Sequence, residues 1–162
     1  MITLTPNYRN LAVLHNWLLA NRQTLSSRYE IGQWATRDFD REHGKASAFG
    51  WAALEGDGVL RMSPTLDNNG MMYFDEPVKS WPKYLARVYG LNMGNPEFAW
   101  IESCRWRQRD NSFYGVIARI RFVIDNALDL PGLGELLDVL SGDKPLPYDI
   151  LENRPYDLKT AL

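Results

Sequence analysis

The chain has 162 residues, of which 45% are apolar and 23% charged, and its net charge is −2. That is the length of one domain and the composition of a folded core, which excludes an intrinsically disordered chain. A charge this close to zero excludes a protein basic throughout, so any contact with nucleic acid must come from a local patch.

Thr5-Pro6 reads as a helix cap followed by proline at the first helical position. Leu11, Leu14, Trp17, Leu18 and Leu25 then share a face, which predicts a helix over 6–25. Residues 29–34 predict a short strand, and the polar stretch 36–42 a loop or solvated turn. Small residues dominate 46–54, as suits a helix packed closely on its neighbours and ended by Gly56-Asp57-Gly58. The runs 59–62 and 71–74 are expected to pair as a hairpin around the turn dipeptide Asn69-Gly70.

Ser80-Trp81-Pro82 opens a helix with Tyr84, Leu85, Val88 and Tyr89 on its apolar face and Gly90 as its stop. Asn95-Pro96 starts another, which carries Phe98, Trp100, Ile101 and Cys104. Asp110-Asn111-Ser112 is a run of capping residues. Behind it Val116, Ile117, Ile120, Ile124, Ala127 and Leu128 repeat at helical spacing, predicting a helix over 112–128. Leu133, Leu136, Leu137 and Leu140 make a last short helix closed by Ser141-Gly142. Residues 145–162, with three prolines and no period, predict an extended C-terminal tail. The expected fold is mainly α (α+β with a small β-hairpin), a single domain over 1–162 with five or six helices.

Six Trp, eight Tyr and six Phe point to a core built on large rings, or to some rings forming a stacking or interface platform. The lone cysteine, Cys104, excludes an internal disulfide and a cysteine-built zinc site, and fits a reducing cytoplasm. A nucleophilic cysteine would also need a base, and only His15 and His43 exist. The apolar run 11–20 contains His15, Asn16 and Trp17, lacks a cleavage-site pattern and is too short to span a bilayer. The expectation is a cytoplasmic protein with no membrane contact.

Charge is unevenly distributed. Residues 100–122 hold five arginines against Glu102 and Asp110, a local +3, while 125–162 hold eight acids against three bases, a local −5. The best candidate for a working surface is Arg105, Trp106, Arg107 and Arg109, extended by Arg121. Guanidinium groups bind phosphates and carboxylates bidentately and stack on rings, and a nearby tryptophan stacks on a base. The plainer reading is an internal ion-pair network, in which Glu102 or Asp110 is the natural partner of a core-facing Arg119.

Other constellations are weaker. Asp38, Asp40, Glu42 and His43 include hard-cation ligands, but Arg37 and Arg41 interleave them as counter-ions, and a solvated charged loop is the plainer reading. His43-Gly44-Lys45 before a helix offers an anion site but lacks P-loop spacing. Gly132-Leu133-Gly134 has Leu137 in the third glycine's place and is no dinucleotide fingerprint. No pattern assigns a catalytic residue, a metal or a cofactor.

Taken together, Trp81-x-x-Tyr84, Tyr89-Gly90, Phe98-x-Trp100-Ile101, Trp106-x-x-x-Asp110-Asn111-Ser112-x-x-Gly115 and Ala118-Arg119-Ile120 resemble a family of small, uncharacterised phage and prophage proteins. The piece around Gly44 and Gly50-Trp51-Ala52 looks like that family's cysteine-bearing Cys-Gly-Thr segment, and the likeness covers about 33–126. Where the family carries two cysteines this chain has His43 and Ala48, and the spacing to Gly50 is one residue short, so no cysteine-based role is carried over. The resemblance implies a phage-related origin and a small protein inside the bacterial host. The function expected first is a non-enzymatic interaction protein that binds a host protein, as an inhibitor of a defence or regulatory complex. Nucleotide or nucleic-acid binding through the Arg105, Trp106, Arg107, Arg109 patch is the alternative.

Overall fold

The computed structural model describes residues 4–32, 44–62, 64–66, 72–74, 81–102, 111–126 and 154–159. The architecture is mainly helical. In chain order it contains α1 (Tyr8–Ala20), α2 (Arg22–Leu25), α3 (Ala48–Glu55), α4 (Trp81–Tyr89), α5 (Pro96–Glu102) and α6 (Phe113–Asp125), with 3₁₀ turns at Ser26–Arg28 and Gly58–Leu60. Strands β1 (Pro64–Leu66) and β2 (Met72–Phe74) pair antiparallel, with Thr65 opposite Tyr73. No helix among the described residues is long and apolar enough to cross a membrane.

α1 begins two residues later than Thr5-Pro6 suggests. Asn7 is its cap, with the side chain accepting from the Asn10 N–H. The entry is set by tertiary contact, because the Asn7 N–H donates to the Tyr89 carbonyl at 2.7 Å. The single helix expected over 6–25 is broken at Asn21, whose side-chain amide donates to the Trp17 carbonyl at 2.8 Å. An asparagine that bonds its own backbone in this way competes with helix continuation, and a separate turn, α2, carries Leu25 into the core.

Of the strand expected over 29–34, residues 33–34 lie outside the described residues; the described part makes a parallel bridge between Tyr29 and Ala46, after which Gly32 turns the chain at φ +77°. The first hairpin strand also moves. Residues Gly58–Leu60 form a 3₁₀ turn, the Met62 N–H donates to the Ala53 carbonyl at 2.9 Å, and pairing starts only at Pro64. Burial of Leu60 against α1 accounts for the shift, since that contact turns the chain before a strand can start.

α3 is buried along nearly its whole length and packs on α1. Ser47 caps it, and Ala48, Phe49, Gly50, Trp51, Ala52, Ala53 and Leu54 are all buried, as expected of a helix with no polar face. α4 closes at Gly90, which has φ +62° and donates its N–H to the Ala86 carbonyl. This is the left-handed cap that glycine permits. Asn95, buried before α5, fastens the first described residue by donating to the Leu4 carbonyl and accepting from the Leu4 N–H. α6 is capped by Ser112, whose hydroxyl accepts from the Gly115 N–H, and packs on α1 and α5.

Large rings fill the core. Trp51, Trp100, Tyr84, Tyr89, Phe49 and Phe113 are fully buried, with Arg119 among them. Phe49 and Tyr89 meet edge to face at 4.8 Å, as do Tyr84 and Tyr89 at 5.6 Å. The two phenols bond each other, and the Tyr84 hydroxyl also donates to the Leu60 carbonyl. Burial pushes both phenols above their ordinary range, so this pair stays neutral. The expected helix over 133–140 and part of the expected tail, residues 145–153 and 160–162, lie outside the described residues. Residues 154–159 of that tail lie against the helices, with Tyr156 and Leu158 packed on the core.

Candidate functional site

The helical phase of Val116, Ile117 and Ile120 turns Arg119 into the protein, and its side chain is fully buried. A guanidinium in that position has to find acceptors. Arg119 Nη1 donates to the Ile101 carbonyl at 3.5 Å, and Nη2 donates to Asn111 Oδ1. The guanidinium carbon lies 5.5 Å from the centre of the Trp100 ring. One side chain on α6 therefore holds the end of α5 and the residue just before the α6 cap.

Glu102 lies on the same side and is buried. Burial pushes its carboxyl up to about 8; the Gly32 N–H, the Ser47 hydroxyl and the Arg119 charge act against that rise. Among the described residues its Oε1 has no hydrogen-bond partner. Ser47 is also the cap of α3, so the Glu102 carboxyl group meets the helix start that the sequence offered as an anion site. Lys45, the cation expected to assist there, is exposed, and His43 lies outside the described residues.

These contacts bring four points of the chain together. A β-carbon on Gly32 would stand 3.4 Å from the Glu102 carbonyl oxygen. Ser47 and Asn111 meet the same Glu102–Arg119 pair. Gly32, which precedes residues 33–43 in the sequence, and Glu102 and Asn111, which flank residues 103–110, are among the residues brought together. Those two segments carry the metal candidates Asp38, Asp40, Glu42 and His43 and the contact candidates Arg105, Trp106, Arg107 and Arg109, all outside the described residues. Among the described residues no group of His, Cys, Asp or Glu is clustered as a metal site.

Arg121, two residues from Arg119, emerges from another side of α6, as a step of about 200° requires. Its Nη1 donates to the Arg154 carbonyl at 2.9 Å, its guanidinium lies 5.2 Å from the centre of the Tyr156 ring, and its Nε is 3.5 Å from Asp125 Oδ2. It faces the C-terminal segment, separate from the Glu102–Arg119 cluster. His15, which the sequence left between a packed and a surface role, is buried and meets the Tyr156 ring edge-on at 4.9 Å.

Sequence reasoning named Glu102 as a partner for Arg119 but missed Ser47 and Asn111, the latter seen only as a capping residue. The available signal was Arg119 itself, since an arginine in the apolar phase of a helix needs oxygens from neighbouring segments. Comparison with protein-family models, with curated proteins and with solved structures returned no match.

Proposed function

We propose that the protein is a non-enzymatic interaction protein that binds a partner protein through Arg105, Trp106, Arg107 and Arg109. The observation that supports this reading is the fixing of both ends of their segment by Arg119, through the Ile101 carbonyl and the Asn111 side chain. Ile101 and Asn111, which flank that stretch in the sequence, are thereby held on a packed helical base. Arginine and tryptophan are also the side chains that most often dominate interface energies. On the resemblance to phage and prophage proteins, the partner we infer is a host protein, and the consequence of binding is inhibition of a defence or regulatory complex.

The test is capture of tagged full-length protein from bacterial lysate, with and without nuclease, beside the Arg105→Glu/Arg107→Glu/Arg109→Glu variant. The reading expects a stoichiometric protein that survives nuclease and is lost from the variant. A partner retained by the variant would overturn the assignment of the segment. Recovery of nucleic acid alone, with steep salt dependence, would replace it with the nucleic-acid reading.

A further inference from the structure

Residues 154–159 are held on α1 and α6 as a bound peptide would be. Contacts to the main chain fall on every second residue. Arg121 Nη1 donates to the Arg154 carbonyl at 2.9 Å, and Arg9 Nη1 donates to the Leu158 carbonyl at 2.8 Å. Between them Asn16 engages both main-chain groups of Tyr156, its Nδ2 donating to the carbonyl at 2.8 Å and its Oδ1 accepting the N–H at 2.7 Å. Tyr156 and Leu158 are half-buried, while Arg154, Pro155, Asp157 and Lys159 are exposed; the chain has no regular structure through Asp157 and turns at Leu158–Lys159, where the Lys159 N–H donates to Asp157 Oδ1 at 2.9 Å.

The side-chain contacts single out position 156. The Tyr156 ring lies between the His15 edge and the Arg121 guanidinium, and its hydroxyl donates to Asp125 Oδ1 at 2.6 Å. The site therefore selects an aromatic ring with a donor at its tip, followed two residues later by an aliphatic side chain. Contacts made to the main chain by Asn16, Arg9 and Arg121 would be equally available to another chain that carries that pattern and follows the same path.

We propose that the α1–α6 face is a peptide-binding site for a Tyr-x-Leu segment of a partner protein that turns at its leucine as this one does, occupied in cis by residues 154–159 until such a segment displaces them. The site is built from α1, α6 and residues 154–159 and uses none of residues 105–109, so either reading stands or falls without the other. A tethered segment competes at an effective concentration of about millimolar, so displacement needs a tighter partner or a weakened tail.

The probe is a fluorescein-labelled peptide with the sequence of residues 154–159, titrated into full-length protein by polarisation. The proteins are the natural chain, Tyr156→Ala and Leu158→Ala, the last two weakening the cis segment at separate contacts, and each again with Asn16→Ala. The proposal expects the peptide to bind at least one tail variant about tenfold or more tighter than the natural chain. Asn16→Ala should reverse that gain, and a peptide with alanine in place of its tyrosine should not compete. In the natural chain, amide exchange at Tyr156 should be slowed, and Asn16→Ala should release it. Binding unaffected by Asn16→Ala, or no binding to any cooperatively folded tail variant at about 1 mM peptide, would overturn it. Were neither tail variant to fold, an unprotected Tyr156 amide in the natural chain would do the same.

Discussion

Arg119 and Glu102 face each other in the interior, one from the middle of α6 and the other from the last turn of α5. The carboxyl, raised to about 8 by burial, is mostly protonated at neutral pH. Under those conditions the guanidinium relies on the Ile101 carbonyl, the Asn111 side chain and the face of Trp100. The pair acts as a buried polar joint between α5 and α6, the two helices that flank the candidate contact residues in the sequence.

Arg119→Met tests that joint. The substitution preserves much of the volume but removes the hydrogen bonds to Ile101 and Asn111, so a loss of about 3 kcal/mol is expected at pH 6. The loss should grow at pH 9, where Glu102 is ionised and has lost its counter-charge. Urea unfolding at the two pH values measures both; an equal loss at each would show that Arg119 does not hold the Glu102 charge.

The raised carboxyl also makes stability depend on pH. Unfolded, Glu102 ionises near its ordinary 4.5; folded, it holds its proton up to about 8. The folded state binds more protons across that window, so this group's contribution is full below pH 4.5 and lost as pH rises through about 8. Its part of the slope is at most about 1.4 kcal/mol per pH unit. Glu102→Gln should remove that part, which thermal melts of both proteins at half-unit steps would reveal as a difference confined to this window.

Gly90→Ala is expected to destabilise by more than about 1 kcal/mol. The residue sits at φ +62°, and an added β-carbon would run into the Thr5 carbonyl oxygen. Because the neighbouring Tyr89 carbonyl accepts the Asn7 N–H, the cost falls on the docking of the N-terminal strand of chain as well as on α4. Chemical denaturation gives the loss, and faster amide exchange at Asn7 locates it.

Asn7→Ala should cost about 1 kcal/mol through the lost cap on α1, whereas Thr5→Ala should cost no more than a few tenths. Equilibrium denaturation separates the two. A larger effect at Thr5 would restore the earlier helix start expected from Thr5-Pro6.

Legibility followed the range of the forces involved. Ser112 before an apolar run and Gly90 after one are local signals, and both marked the ends of the helices observed. The small-residue run before Gly56 likewise became α3, because a helix without a polar face has only the interior to occupy. Errors arose where a distant contact decided the outcome. Asn7 replaced Thr5 as cap because the Tyr89 carbonyl takes its N–H, and 59–62 failed to pair because Leu60 is drawn into the core.

The candidate site divides along the same line. The sequence by itself determined that the chain is mainly helical and pointed to its abundant rings as a core, with Glu102 named as a partner for Arg119 should that arginine face inward. Those properties depend on periodicity and capping over a few residues. Only the tertiary structure decided that Ser47, Asn111 and Gly32 meet Glu102 and Arg119, and that residues 154–159 lie against Asn16 and Arg121. Such partners are separated by as few as eight residues, for Asn111 and Arg119, and as many as 140, for Asn16 and Tyr156, and what brings them together is the closing of one core around buried polar groups that must be satisfied.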